Sequence, residues 1–287
     1  MPKPRPDRTV KIAGVDIHFH AALRGDVDTT LVMVHGFGAC LESWHDVYPA
    51  LAQQFSVVRL DLKGSGFSAK PRDEAYALRD QAGILLDFLE TLRLEKIVLI
   101  GHSMGGGVSL LACLRNLDTQ AGVDIAGLVL IDSAGYPQPL PLFVTALRNP
   151  FTRPIAQLLP AGLKVRLVLE KAFEVKSQIT PERIERYAFF LRLPGANFAL
   201  ARTAEFILPP DLDAITARYP EIEVPALIIW GEKDRVVPLE NAHRFCAALP
   251  ASQLLVLPDT GHVPHEERPQ PVIDALTRFV RSISIPN

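Results

Sequence analysis

Residues 98–107 read VLIGHSMGGG, a serine set among glycines directly behind an apolar run. A hydroxyl is a poor nucleophile until a base removes its proton, and that base needs a third group to fix its tautomer. A serine raised on a tight strand-to-helix turn is ready for this chemistry, because its Oγ stands clear of the backbone and small neighbours let the turn close. The helix that follows aims free N–H groups and the positive end of its dipole at the same place. Ser103 is thus a candidate nucleophile, on the condition that a strand ends at Gly101 and a helix runs over 104–117.

The base is sought among eight histidines. His18 and His20 fall on an edge-strand pattern, and His45 and His243 fall in exposed helical patterns, so all four read as surface or satisfied core. His35 precedes Gly-Phe-Gly and reads as shaping that turn, while His102 points away if Ser103 points up. PDTGHVPHEERP (258–269) leaves His262, free in the loop after the last strand, and His265, expected to brace that loop by hydrogen bonds from the first turn of the next helix. His262 is the candidate base. For the acid, WGEKDRVVP places Asp234 just after the strand 226–231, where open α/β sheets put their sites. Asp132, after strand 127–131, is the rival, and Asp259 is too close in sequence to His262 to orient its ring. A tetrahedral intermediate needs two donors for its oxyanion. The backbone N–H of Met104 supplies one, and the glycine-flanked turn HGFG (35–38) offers that of Phe37 as the other.

These residues need a sheet to hold them. Short β-branched runs recur at 9–14, 15–23, 30–36, 56–62, 96–101, 127–133, 226–231 and 253–259. The first two alternate as an antiparallel edge pair would, and the middle ones are continuously apolar, as strands buried on both faces of a parallel sheet must be. Helical spacing fills 76–94, 239–250 and 269–283. Strand–helix alternation of this kind predicts an α/β fold with a mostly parallel sheet. The alternation breaks over 135–215, which holds five proline-bounded apolar helical patches and ten Lys or Arg against seven Asp or Glu. That segment is expected to be a helical cap over the carboxyl edge of the sheet, inserted between a first core part at 1–134 and a second at 216–287. Its apolar residues (Leu142, Phe143, Leu147, Phe151, Leu158, Phe189, Phe190, Leu191, Phe198 and Phe206) are expected mostly to pack helices, with some walling an acyl or alkyl pocket.

A 287-residue chain buries roughly three quarters of its unfolded surface, so no staple is required. A net charge of −2 gives no electrostatic reason to expect nucleic acid. No apolar run approaches the ~18 residues that cross a bilayer, and MPKPRPDRTV has no apolar stretch behind it to make a secretion signal. Cys40, Cys113 and Cys246 are scattered and without metal spacing, which suits reduced thiols in a cytoplasm. KGSGFS (63–68) lacks the third glycine of a dinucleotide loop. Chemistry without cofactor or metal is expected, with a small-molecule ester and water as partners and neither nucleic acid nor membrane among them, and the oligomeric state is open.

HGFG (35–38), RLDLKGSGFSAKP (59–71), GHSMGG (101–106), WGEKDRVVP (230–238) and GHVPHEERP (261–269) together resemble the α/β-hydrolase superfamily over residues 15–282, apart from the cap. The likeness is to its cap-domain serine hydrolases: carboxylesterases, cofactor-free haloperoxidases and meta-cleavage-product C–C hydrolases. It implies an eight-stranded, mostly parallel sheet flanked by helices, with Ser103, Asp234 and His262 as triad and Phe37 and Met104 as oxyanion donors. The order Ser…acid…His is that of this fold. Dehalogenase and epoxide-hydrolase relatives carry an aspartate where this chain has Ser103. C–C hydrolases usually show Asn before the serine and Trp after the base, where this chain has His102 and Val263. The expected activity is therefore hydrolysis of a small to medium carboxylic ester, uncharged or mildly anionic, through an acyl-enzyme. C–C hydrolysis and peracid or acyl transfer are the alternatives, and a ligand-binding receptor of the same fold is the non-enzymatic one.

Overall fold

The computed structural model describes residues 8–94 and 96–284; most of the N-terminal MPKPRPDRTV segment lies outside them. Eight strands form one sheet in the order β1-β2-β4-β3-β5-β6-β7-β8. They are β1 (Arg8–Ile12), β2 (Val15–Ala22), β3 (Thr29–Val34), β4 (Ser56–Leu60), β5 (Lys96–His102), β6 (Asp124–Ile131), β7 (Ala226–Gly231) and β8 (Ser252–Leu257). β2 runs antiparallel to β1 and β4, and every pair from β4 across to β8 is parallel.

Continuous apolar runs became central strands because both faces are covered. In β3, Val32 and Val34 face one core with Leu85, Phe88 and Val108, whereas Leu31 and Met33 face the other with Trp44, Leu51 and Leu276. The period of two sends alternate side chains to opposite layers. One layer is α2 (Leu78–Thr91) and α3 (Met104–Thr119), and the other is α1 (Tyr48–Ala52) together with the C-terminal Pro269–Ser284 helix. The expected strand over 9–14 stops at Ile12 because Ala13 (φ 45°) and Gly14 (φ 84°) make the turn into β2. β6 begins at Asp124, ahead of the expected 127, with a register shift in its partner at Ile97/Val98.

Between β6 and β7 lie six α-helices among the described residues, one more than the five apolar patches suggested: α4 (Leu142–Arg148), α5 (Arg153–Leu158), α6 (Ala161–Ala172), α7 (Pro181–Leu191), α8 (Ala196–Glu205) and α9 (Leu212–Ala217). Thr180 caps α7, its side chain accepting from the Arg183 N–H with Pro181 at the first helical position. The chain then returns through β7, α10 (Glu240–Ala248), β8, α11 (Pro264–Glu267) and α12 (Pro269–Ser284).

β3 has β4 on one side and β5 on the other, so chain direction across the sheet reverses there. Sites in open α/β sheets form outside the carboxyl ends of strands at such a switch point. The turn after β3 is HGFG and the turn after β5 carries Ser103.

Candidate active site

Ser103 joins β5 to α3 with φ 51° and ψ −120°, a region that side chains rarely adopt. The surroundings fix it there: its N–H donates to the Ile131 carbonyl at 3.0 Å, and its own carbonyl accepts from Ala134 and Gly106, each at 3.0 Å. The glycines are required by space. A Cβ on Gly105 would sit 2.2 Å from the Val34 carbonyl oxygen, and one on Gly101 would sit 2.5 Å from that of Gly105. α3 thus starts pressed against the end of β3, and its first N–H groups have no partner within the helix.

The loop after β8 brings His262 over this turn. Its Nε2 lies 3.0 Å from Ser103 Oγ and its Nδ1 lies 2.8 Å from Asp234 Oδ2. Asp234, in the loop after β7, also accepts from the N–H groups of Val236 (2.6 Å) and Val237 (3.0 Å) through Oδ1. A carboxylate can only accept, so Nδ1 carries the proton and Nε2 is free to accept from the serine hydroxyl. Burial works against the Asp234 charge, but the His262 imidazole and these hydrogen bonds hold the carboxyl below its ordinary range.

The rival acid, Asp132, lies beside the pair but does not bond the imidazole. Its Oδ1 accepts from the Gly231 N–H at 3.0 Å. Complete burial, and then the charge of Asp234, push its carboxyl well above the usual range, which favours its protonated form. Asp132, Asp234 and His262 are the only three ligand-type side chains among the described residues whose polar atoms converge, all within 4.8 Å. The bond from His262 to Asp234 accounts for the closeness of that pair, and Asp132 lies against them with its Oδ2 unpartnered among the described residues. Asp259 is exposed and meets Glu232, away from His262.

Phe37 and Met104 both border the cavity at Ser103, as an oxyanion pair must. Gly36 closes the approach, since a Cβ there would lie 3.1 Å from that of Ser103. His35 ties the turn down, with Nδ1 on the Gly36 carbonyl (2.8 Å) and Nε2 accepting from the Leu62 N–H (3.0 Å).

Two histidines differ from expectation. His102 does not bond Ser103, yet it is part of the site: its Nε2–H donates to the His262 carbonyl at 2.8 Å. Burial, then the neighbouring His265 and His262, push His102 well below its ordinary value and keep it neutral. His265 was expected to brace the loop by hydrogen bonds. Neither of its ring nitrogens has a hydrogen-bond partner among the described residues, and the ring is held by packing on Trp44 and His102, at 4.6 Å between centroids in each case.

Other supports fall within RLDLKGSGFSAKP and GHVPHEERP, at residues given no role above. Asp61, fully buried, accepts from His18 Nδ1 (2.7 Å), the Leu41 N–H (2.7 Å) and the Phe67 N–H (2.9 Å), tying the segment after HGFG to that of KGSGFS. Gly66 makes room for it, because a Cβ there would lie 2.0 Å from the Asp61 carboxyl. Glu267 accepts from the N–H groups of Gly261, Glu174 and Val175, and Glu266 pairs with Arg183 and Tyr187 of α7. His262 itself donates its N–H to Ala172 at the end of α6 (2.7 Å). The loop that holds His262 is therefore anchored on the inserted helices. The cysteines are free, and burial pushes the Cys113 thiol up to about 12.

A cavity of about 830 Å³ opens from Ser103 and His262 toward α4–α6. Leu142, Phe143, Leu147 and Leu191 border it, whereas Phe189 and Phe190 pack edge-on against Phe67. Phe151 and Leu158, expected to pack helices, are exposed instead. Among the described residues no helix is long and apolar enough to cross a membrane.

A family model described as alpha/beta hydrolase fold matches residues 29–269. The uncharacterized hydrolase YugF of Bacillus subtilis (strain 168) is 31% identical over 277 residues, covering 96% of this chain and 98% of that protein. The 2-hydroxy-6-oxo-6-(2'-aminophenyl)hexa-2,4-dienoic acid hydrolase of Metapseudomonas resinovorans is 26% identical, covering 96% of this chain and 90% of its own. The malate-bound thermophilic esterase of Thermogutta terrifontis superposes with a TM-score of 0.81 at 25% identity, covering 97% of this chain and 100% of that one. With the eight-stranded sheet, these matches show that the chain belongs to the α/β-hydrolase fold family, among relatives that are hydrolases.

Proposed function

We propose that the protein is a serine hydrolase of carboxylic esters. The observation that carries this is the unbroken run Ser103 Oγ, His262 Nε2, His262 Nδ1, Asp234 Oδ2, with separations of 3.0 and 2.8 Å, on a strained turn. In this reading His262 Nε2 takes the Ser103 proton as Oγ bonds to the ester carbonyl carbon. Negative charge on the carbonyl oxygen meets the N–H groups of Phe37 and Met104. The tetrahedral intermediate collapses, the C–O bond to the alcohol breaks, and His262 returns the proton to the leaving oxygen. Water, deprotonated by the same nitrogen, then releases the acid and restores Ser103.

The cavity supports an apolar acyl group, since its walls are mainly Leu, Val, Ala and Phe side chains. The thermophilic esterase and the dienoic acid hydrolase named above bracket the reading, because ester and C–C cleavage would both use a serine so activated. The His102 and Val263 departures favour the ester. A series of p-nitrophenyl esters of increasing acyl length, assayed beside a yellow ring-fission substrate, tests this. The expected result is ester turnover that improves into medium acyl lengths, with fluorophosphonate labelling lost in Ser103→Ala. Undiminished turnover in Ser103→Ala would overturn it, as would preferential bleaching of the ring-fission product.

A further inference from the structure

Of nine large apolar side chains that are exposed among the described residues, seven fall between 142 and 167. Leu142, Phe151 and Leu158 are 87%, 86% and 84% exposed and Ile155 is 66% exposed. α5, which carries Ile155 and Leu158, buries none of its residues. Single exposed leucines need no explanation, but a cluster of this size on one short segment marks a surface that something covers.

Two further observations say what. The cluster is the outer rim of the catalytic cavity: Leu142, Leu159 and Leu167 are exposed and also line the space that ends at Ser103 and His262. It is also basic. Residues 142–173 carry Arg148, Arg153, Lys164, Arg166 and Lys171 against Glu170 alone, in a chain whose net charge is −2. Arg153 pairs with Glu205, but the side chains of Arg148, Arg166 and Lys171 make no ion pair among the described residues. A second copy of this chain is a poor match for such a face, since a two-fold contact sets it against itself and opposes like charges. A surface with an apolar interior and an anionic skin matches both features.

We propose that the α4–α6 face docks on an anionic lipid surface and that the cavity receives an acyl chain directly from it. The docking stands on the patch and its charge; the delivery of an acyl ester to Ser103 rests on the esterase reading above.

Flotation with vesicles of phosphatidylcholine, and of phosphatidylcholine with one quarter phosphatidylglycerol, tests the docking, using the full chain as Ser103→Ala so that lipid cleavage plays no part. The expected result is binding to the anionic vesicles, at least tenfold weaker in Phe151→Asp/Leu158→Asp and weakened by raised salt. Neither residue borders the cavity, so the same pair in the active chain leaves p-nitrophenyl butyrate turnover unchanged. Absence of binding to the anionic vesicles would overturn the proposal. So would binding that the double substitution leaves intact, or a solution dimer that it dissociates. If the wild-type chain turned over no ester, the esterase reading would fail while the flotation result still decided the docking.

Discussion

Asp132 and Asp234 stand together at the ends of β6 and β7, and only Asp234 takes the imidazole of His262. Two carboxyls so close cannot both ionise without cost, and the divided environments decide which one does. Asp234 is supplied with N–H donors and the imidazole, whereas burial and the nearby Asp234 charge favour the protonated form of Asp132. Asp132→Asn imitates that protonated acid, keeping an acceptor for the Gly231 N–H and a donor toward Asp234. Its kcat is expected to stay near the wild-type value. Asp234→Asn turns an amide donor toward Nδ1 and inverts the tautomer, with an expected loss of about 10³- to 10⁴-fold in kcat. The opposite ranking of the two variants would move the triad acid to Asp132.

The same carboxyl sets a pH dependence of stability. A group whose folded pKa is raised contributes stability that is complete below its unfolded value, about 4, and that is lost as pH rises toward the folded value. Asp132→Asn removes this loss. Melting curves at pH 5 and pH 8 are expected to show a smaller fall with rising pH in the variant than in wild type.

His265 works in the other direction. Burial, followed by His262 and Arg183, pushes it down to about 3, so the folded chain holds it neutral while an unfolded chain protonates it below about 6.5. Stability from this group is present above that value and is lost on acidification, by up to ~1.4 kcal/mol for each pH unit until the folded value is reached. Neither ring nitrogen is hydrogen-bonded among the described residues, so His265→Phe keeps the packing on Trp44 and forfeits no bond. The variant is expected to match or exceed wild type at pH 7.5 and to lose less on going to pH 5, as read by denaturant melts. An equal acid loss in both would mean that His265 is not the group responsible.

The parts of this molecule that a sequence displays are those with a period or a turn. Central strands show as apolar runs because two layers of helices cover them, and Ser103 shows because its turn admits only glycine at 101 and 105. His262 and Asp234 were reachable because each follows a recognisable strand. The buried charges were not. Glu266 and Glu267 look like the polar start of a surface helix, and only their partners in α7 and in the segment just before it, some 79 to 93 residues away, reveal them as buried anchors. Phe151 and Leu158 are exposed rather than packed for the same reason, since an apolar helical pattern does not state whether anything packs against it.

Arg183 tests the anchor between α7 and the His262 loop. Its guanidinium meets Glu266, whose carboxylate is almost wholly buried, and Asp46 at 3.0 Å. Removing one partner of a buried pair leaves the other charge stranded, at a cost of ~3–5 kcal/mol, whereas replacing both is far less harmful. Arg183→Met is expected to lose about that much unfolding free energy, and Arg183→Met/Glu266→Gln to recover a good part of it. If the double variant were no more stable than the single one, the pair would not be the source of the loss.

His102 positions His262 rather than touching the serine. Its Nε2–H holds the His262 carbonyl at 2.8 Å, and its neutral state, enforced by burial and by its histidine neighbours, leaves that single donor in a defined place. His102→Phe fills the space but removes the donor, so the loop carrying His262 loses one of its tethers. A small displacement of the base slows proton transfer without weakening ester binding. The expected result is kcat lower by about tenfold with KM unchanged, and slower fluorophosphonate labelling of Ser103. His102→Gln, which can return an N–H donor to the same carbonyl, is expected to restore part of the rate. Loss of melting temperature with an unchanged rate per labelled serine would instead reduce His102 to packing. His102 directly precedes Ser103, so on the reading proposed above a change of its side chain shifts His262 while leaving Ser103, His262 and Asp234 themselves in place.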